Sequence, residues 1–158
     1  MGEFSHLDKK GKAKMVDVGH KTPTTRIAKA QAIVSLPGEV MKHFNGQDVE
    51  TKKGGVFQTA ILAGIMGAKK TSELIPLCHP LALDNCSVDI NIGNNNELII
   101  TTEASINSKT GVEMEALTAA SVAALTVYDM CKGMSHDIII KEIKLLSKTG
   151  GKSDFKRT

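Results

Sequence analysis

Residues 110–132, TGVEMEALTAASVAALTVYDMCK, limit what this chain can fold into more than any other stretch. Positions 116–128 carry no charge, and their thirteen residues fall short of the roughly 20 that a membrane-spanning helix needs. Small apolar residues at this density predict a helix buried by close neighbours. The same helix carries Glu113 and Glu115 at its start and Asp129 and Lys132 at its end. At 100° per residue, Glu113 and Glu115 point about 200° apart, whereas Glu115 and Asp129 are about 40° apart but separated by roughly 21 Å along the axis. One compact ligand cannot touch both ends. If all four groups are functional, they are expected to serve equivalent pockets from different subunits.

The rest of the chain has to pack around that helix. Its 158 residues suffice for one domain, and a composition 41% hydrophobic and 23% charged is that of a globular protein. The leading segment MGEFSHLDKKGKAKMVDVG lacks the apolar core of a secretory signal, so a cytoplasmic location is expected, with no membrane partner. Cys78, Cys86 and Cys131 form no zinc spacing and are read as reduced thiols, with no structural metal. A formal charge of +3 leaves lysines for a polyanionic small molecule. Nucleic acid is not expected, because one Tyr and no Trp offer few platforms on which bases could stack.

Residues 1–24 are polar and aperiodic and read as an N-terminal arm. In TRIAKAQAIVSL, Ala28, Ala30, Ala32 and Val34 alternate with polar positions as in a strand. PGEVMKHFN reads as a short helix, and VFQTAILAGIMGAKK as a buried one with a basic C-terminus suited to its dipole. NCSVDINIG alternates cleanly, GNNN tolerates positive φ, and ELIITTEASIN follows, which together predict a hairpin. After the long helix, HDIIIKEIKLLS predicts a last strand. The order predicts an α+β fold of the ferredoxin-like, split βαβ kind: a four-stranded antiparallel sheet with two main helices on one face. Its domain occupies 25–147, and 148–158 form a basic, glycine-containing tail. The uncovered sheet face and edges predict a homo-oligomer.

Three constellations can carry chemistry. Thr110 and Glu113 match the S/T-x-x-E capping box, which accounts for Glu113 structurally but leaves Glu115 unexplained. Asp129 and Lys132, three apart, have a weak surface ion pair as the plain alternative to a functional role. In LIPLCHPL, Pro76 and Pro80 favour extended geometry, which would send Cys78 and His79 to opposite sides, only one into any one cleft. His79 can equally be a hydrogen-bonded structural histidine, and Cys78 a small buried hydrophobe. TKKGGVF sets two lysines and two glycines before a helix, and SKTGGKSDFKR repeats that chemistry with Lys148 and Lys152. Each can be a solvated basic loop, or glycine-lined phosphate-binding backbone. This inventory of Lys, His, Asp and Glu suits acid–base chemistry on a phosphorylated metabolite. A non-catalytic nucleotide-binding module on a ferredoxin-like scaffold is the alternative.

MVDVGHK, KKGGVFQTAILAGIMGAKKTSELIPLCHPL, KTGVEMEALTAASVAALTVYDMCK and KLLSKTGGKSDF resemble the signature blocks of the molybdenum-cofactor biosynthesis protein C family, the cyclic pyranopterin monophosphate synthases. The resemblance spans about Met15 to Phe155. It implies a lyase that converts 3′,8-cyclo-7,8-dihydro-GTP to cyclic pyranopterin monophosphate and releases pyrophosphate, in a hexamer made of three dimers. Lys53, Lys132 and Asp129 match the catalytic set, with His79, Glu113 and Glu115 as further essential polar groups. Leu77, Cys78 and His79, and Met114 with Glu115, match substrate-contacting segments. Lys21 and Lys148 would hold the triphosphate, with Arg26 as an addition; no cofactor is required, although Mg²⁺ can accompany the triphosphate. A catalytic lysine in a desolvated, cation-rich pocket is expected to have its pKa lowered. The chain departs from the family pattern at Gly55, commonly polar there, at Ile61, Arg in some members, and in the tail, where a glycine often precedes the aspartate.

Overall fold

The computed structural model describes residues 4–44 and 46–158; positions 1–3 of the expected arm and Asn45, at the end of the expected short helix segment, lie outside them. The elements in chain order are β1 (Thr24–Ser35), α1 (Gly38–Met41), β2 (Glu50–Thr51), β3 (Gly54–Gly55), α2 (Val56–Lys69), α3 (Thr71–Leu74), β4 (Asn85–Ile92), β5 (Glu97–Ser108), α4 (Glu113–Cys131), β6 (Ile139–Thr149) and β7 (Phe155–Lys156).

Alternation along β1 sends Ala28, Ala30, Ala32 and Val34 to one face, where all four are buried. Across the β1–β5 register these residues pair with Ala104, Thr102, Ile100 and Leu98, which are buried too. β4 and β5 are joined through a turn in which Asn95 and Asn96 adopt φ of 56° and 58°. The main sheet runs β4-β5-β1-β6-β7 with every neighbouring pair antiparallel. The expected four strands are thus present as the four long ones, and the count rises to five because the tail folds back: Phe155 and Lys156 pair with Lys148 and Ser147. β2 and β3 form a separate two-stranded hairpin that periodicity cannot reveal, since two residues per strand show no alternation.

α2 and α4 pack against each other and both lie on the sheet. Small residues set how closely they approach. A Cβ on Gly64 would come within 2.9 Å of the Ala119 carbonyl, and one on Gly67 within 2.7 Å of Val122 Cγ2. On α4, Ala116, Ala119, Ala120, Ala123 and Ala124 are fully buried. Two of its hydroxyls are satisfied within the helix: Ser121 and Thr126 donate to carbonyls four residues back. Thr102 of β5 donates to the Ala116 carbonyl at 2.7 Å, fixing the start of α4 to the sheet. Among the described residues, no helix is long and apolar enough to cross a membrane.

Candidate functional site

The two ends of α4 build two different polar clusters. At the C-terminal end, Asp129 Oδ1 accepts from Lys132 Nζ at 2.7 Å and Oδ2 from Lys53 Nζ at 3.0 Å. Lys53 arrives from the tip of the β2–β3 hairpin. There Lys53 N donates to Thr51 Oγ1 at 3.0 Å, the Thr51 hydroxyl donates to the Gly54 carbonyl at 2.9 Å, and Gly54 turns the chain at φ +100°. A left-handed φ of this kind favours glycine. Hydrogen bonds from Lys132 and then Lys53 hold the Asp129 carboxyl below the usual carboxylate range. Asp129 in turn raises Lys132 above the ordinary lysine value. Within one chain, then, Lys132 is not the desolvated, lowered lysine expected: it is half-exposed and faces an anion. The i,i+3 spacing alone understated this end, because Asp129 is shared with a lysine 76 residues away.

At the N-terminal end the capping box does not form. α4 starts at Glu113, its N-cap residue is Val112, and no side chain caps it. Thr110 sits too far ahead of the helix, and Glu113 instead turns to β6, where its Oε1 lies 3.1 Å from Lys148 Nζ. Glu115 is 4% exposed. Burial pushes its carboxyl from the ordinary 4.5 up to about 7, and the charge of Glu113 adds to the rise. Burial also raises the Cys78 thiol, with Glu115 contributing. His79 Nε2 lies 2.8 Å from the Val16 carbonyl, which brings the N-terminal arm onto this end of the molecule.

Leu77, Cys78, His79, Glu113, Met114 and Glu115 all border one cavity of about 180 Å³. Cys78 and His79 both border this cavity, and His79 alone of the two also borders the larger cleft beside it. A turn leads into the pair, with Cys78 N donating to the Ile75 carbonyl at 3.1 Å. An open cleft of about 630 Å³ adjoins this cavity, sharing His79 and Glu113 and bringing in Lys21, Arg26, Lys148 and Lys152. Arg26 is held in place by donating from Nε to Thr24 Oγ1 at 2.8 Å and from Nη2 to the Lys109 carbonyl at 3.3 Å. Lys109 Nζ donates to the Gly19 carbonyl at 2.9 Å and so secures the arm. Val16 and Lys109 lie inside the signature blocks MVDVGHK and KTGVEMEALTAASVAALTVYDMCK, yet spacing does not single them out as site residues, because each acts across a long sequence separation.

The structure thus gathers Lys53, Asp129 and Lys132 at one end of α4, and Leu77–His79, Glu113–Glu115, Lys21 and Lys148 at the other. It does not bring the two sets together within one chain, because the helix between them is about 21 Å long from Glu115 to Asp129. A carboxyl near neutrality and an imidazole that border one cavity can exchange protons with a ligand there, and four cations around an open cleft can hold an anion.

Fold and site together define an α+β protein with a buried carboxyl and a cation-lined cleft at one end of a buried helix and a Lys–Asp–Lys cluster at the other. The chain belongs to the MoaC family, whose model matches residues 15–151. It is similar to the molybdenum cofactor biosynthesis bifunctional protein of Synechocystis sp., with 50% identity over 98% of this chain and 46% of that protein. It is similar also to molybdenum cofactor biosynthesis protein 1 of Drosophila melanogaster, with 52% identity over 98% of this chain and 27% of that protein. The cyclic pyranopterin monophosphate synthase of Desulforapulum autotrophicum is 49% identical over 97% of this chain and 93% of its own length. The chain accordingly spans less than half of the first two relatives and nearly all of the third.

Proposed function

We propose that this chain is a cyclic pyranopterin monophosphate synthase in molybdenum cofactor biosynthesis, a pyrophosphate-releasing lyase of the phosphorus–oxygen type acting on 3′,8-cyclo-7,8-dihydro-GTP. The observation that carries the reading is the cleft in which Lys21, Arg26, Lys148 and Lys152 adjoin His79 and Glu113. In this reading the cations hold the triphosphate, and any Mg²⁺ arrives on it as part of the substrate. Leu77, Cys78, Met114 and Glu115 enclose the purine-derived end in the neighbouring cavity. A ribose hydroxyl attacks the α-phosphorus and gives its proton to a base. The new P–O bond forms as the bond to the β-phosphate oxygen breaks, and pyrophosphate leaves. Opening of the imidazole ring and closure of the pterin and pyran rings need further proton transfers, for which Lys53, Lys132, His79 and Asp129 are the proposed groups.

Those groups meet in one site only if a second copy supplies the other end of α4. The reading therefore includes an assembly of dimers into a homohexamer, on subunits of the ferredoxin-like, split βαβ kind. Leu62, Met66 and Leu125 are 60%, 50% and 60% exposed on the helical layer, which supports burial against another copy. The arm at 1–24 and the tail at 148–158 act as ligand-holding flanks of the catalytic domain at 25–147, and the protein works in the cytoplasm. Pyrophosphate release from 3′,8-cyclo-7,8-dihydro-GTP is the test. Turnover with release supports the synthase, whereas saturable binding without release assigns the chain to the non-catalytic nucleotide-binding class.

A further inference from the structure

The hairpin that presents Lys53 is too short to hold itself in place. Its strands are two residues each, paired only as Glu50 with Gly55 and Thr51 with Gly54, and an isolated hairpin of any length is marginal in water. It runs straight into α2, whose N-cap residue is Gly55 and contributes no side-chain hydrogen bond. The orphan amides at that helix start are taken by Asp48, from the chain just before the hairpin. Asp48 Oδ1 accepts from Phe57 N at 2.7 Å and Oδ2 from Gln58 N at 3.0 Å. Oδ1 also accepts from Val49 N at 2.8 Å, at the entry to the hairpin. Val56 N donates to the Val49 carbonyl at 3.0 Å and closes the base of the loop. One carboxylate thus ties the strand that leads to Lys53 to the helix that follows it.

Position 55 is coupled to this clamp. A Cβ there would lie 2.6 Å from Asp48 Oδ2 and 3.1 Å from Glu50 Oε1, so the carboxylate occupies the space a side chain would need. A side chain at 55 and a carboxylate at 48 exclude each other in this arrangement. From the clamped base the hairpin tip delivers Lys53 Nζ to 3.0 Å from Asp129. α2, which carries the clamp, packs along α4, which carries Asp129, so the two partners share one rigid frame.

We propose that Asp48 is the positioning residue for Lys53: it fixes the hairpin base to α2 and thereby sets the lysine against Asp129. The functional consequence rests on the reading of Lys53 as an acid–base group; the structural coupling does not. Asp48 touches none of the reacting groups, so its removal acts on turnover rather than on substrate affinity.

The test compares Asp48→Ala, Asp48→Asn, Gly55→Asp and the double variant Asp48→Ala/Gly55→Asp in the full chain. Two measurements are made: pyrophosphate release, and the Lys53 side-chain ammonium resonance, assigned by its loss in Lys53→Ala. Asp48→Ala is expected to move that resonance toward that of an unpaired lysine and to lower kcat by about 10- to 100-fold, the scale of a misplaced catalytic group. KM should change less than about threefold, because ground-state binding is untouched. Gly55→Asp alone should do the same by forcing two carboxylates together. The double variant should regain stability, since an aspartate at the N-cap then serves α2 locally in the space Asp48 has left, but neither the wild-type resonance nor kcat, since nothing then ties Val49 and the hairpin base to the helix. Should Asp48→Ala not fold, Asp48→Asn, which keeps one acceptor, and the double variant decide. An unchanged Lys53 resonance in the folded Asp48 variants, with only thermal stability lowered, overturns the proposal and leaves Asp48 a helix cap. Normal kcat in Lys53→Ala overturns the catalytic reading of Lys53 instead, and the ammonium resonance still decides whether Asp48 positions it.

Discussion

At the first turn of α4, Glu115 is 4% exposed and its carboxyl is pushed up to about 7; in the last turn, Asp129 has a side chain 48% exposed and a carboxyl held below its ordinary value by two lysines. The residues are of one chemical kind on one helix, and their surroundings separate them. Burial without a cation makes Glu115 a group that can take or give a proton near neutrality. Exposure between Lys53 and Lys132 makes Asp129 a fixed anion that orients ammonium groups. A two-ended helix of this sort divides proton exchange from charge placement, and a reaction that needs both must bring the ends of two helices together.

The largest effect expected is at the cationic end. Lys53→Ala and Lys132→Ala should lower pyrophosphate release by about 10²- to 10⁴-fold, the usual contribution of a positioned acid or base. Circular dichroism and assembly size should stay unchanged, because both lysines are at least half-exposed. Near-normal turnover in either variant removes that lysine from the chemistry and leaves the ion pair with Asp129 as a surface contact.

The separation of the ends is tested by mixing. His79→Ala disables the N-terminal set and Lys53→Ala the C-terminal set. If each site joins one end from each of two copies, random co-assembly of equal amounts should restore about one quarter of wild-type activity. If each chain completes its own site, the mixture stays as inactive as its components. Assay of co-expressed, co-purified variants separates these outcomes.

The electrostatic contrast predicts opposite pH slopes of stability. The raised carboxyl of Glu115 keeps its proton in the folded state at pH values where the unfolded chain has released it. Stability from this group is present below its ordinary 4.5 and is lost as pH rises to about 7. A displacement of that size corresponds to roughly 3 kcal/mol. Urea unfolding of Glu115→Gln between those pH values should show that decline removed. Asp129 has the reverse sign: its contribution is present above its ordinary 3.8 and is lost as pH falls. Exposure to solvent makes that loss the smaller of the two. An unaltered pH profile in Glu115→Gln means that folding does not raise the Glu115 carboxyl above its ordinary 4.5, and the contrast between the ends disappears.

How much of this the chain reveals on its own depends on the range over which each interaction acts. β1, β4, β5 and both long helices follow from local periodicity, since Ala28, Ala30, Ala32 and Val34 declare their buried face two residues at a time. β7 and the β2–β3 hairpin do not, because they exist through pairing with distant chain or through Asp48. In the site, helical geometry alone separates Glu115 from Asp129. The resemblance, rather than spacing, singles out Lys53, because nothing local connects it to an aspartate 76 residues on. The two prolines of LIPLCHPL favour extended chain, and the turn that closes from Ile75 to Cys78 ahead of His79 is invisible to that rule, because it depends on a backbone hydrogen bond.

The smallest effect expected concerns what holds the acidic end in place. The sequence pattern at Thr110 and Glu113 is that of a capping box, and loss of a working N-cap hydroxyl costs about 1 kcal/mol. The structure gives the helix no side-chain cap and pairs Glu113 with Lys148. Thr110→Ala should therefore change unfolding stability by less than about 0.5 kcal/mol, the range of an ordinary surface substitution. Lys148→Met should change it no more, since both partners are about a third exposed and such pairs are weak. The two substitutions differ in salt: raising ionic strength should reduce the difference between wild type and Lys148→Met and leave Thr110→Ala unaffected. A loss near 1 kcal/mol in Thr110→Ala, independent of salt, would mean that the hydroxyl caps α4 in solution. Glu113 would then be a structural residue, and Glu115 would remain the acid–base group of that end.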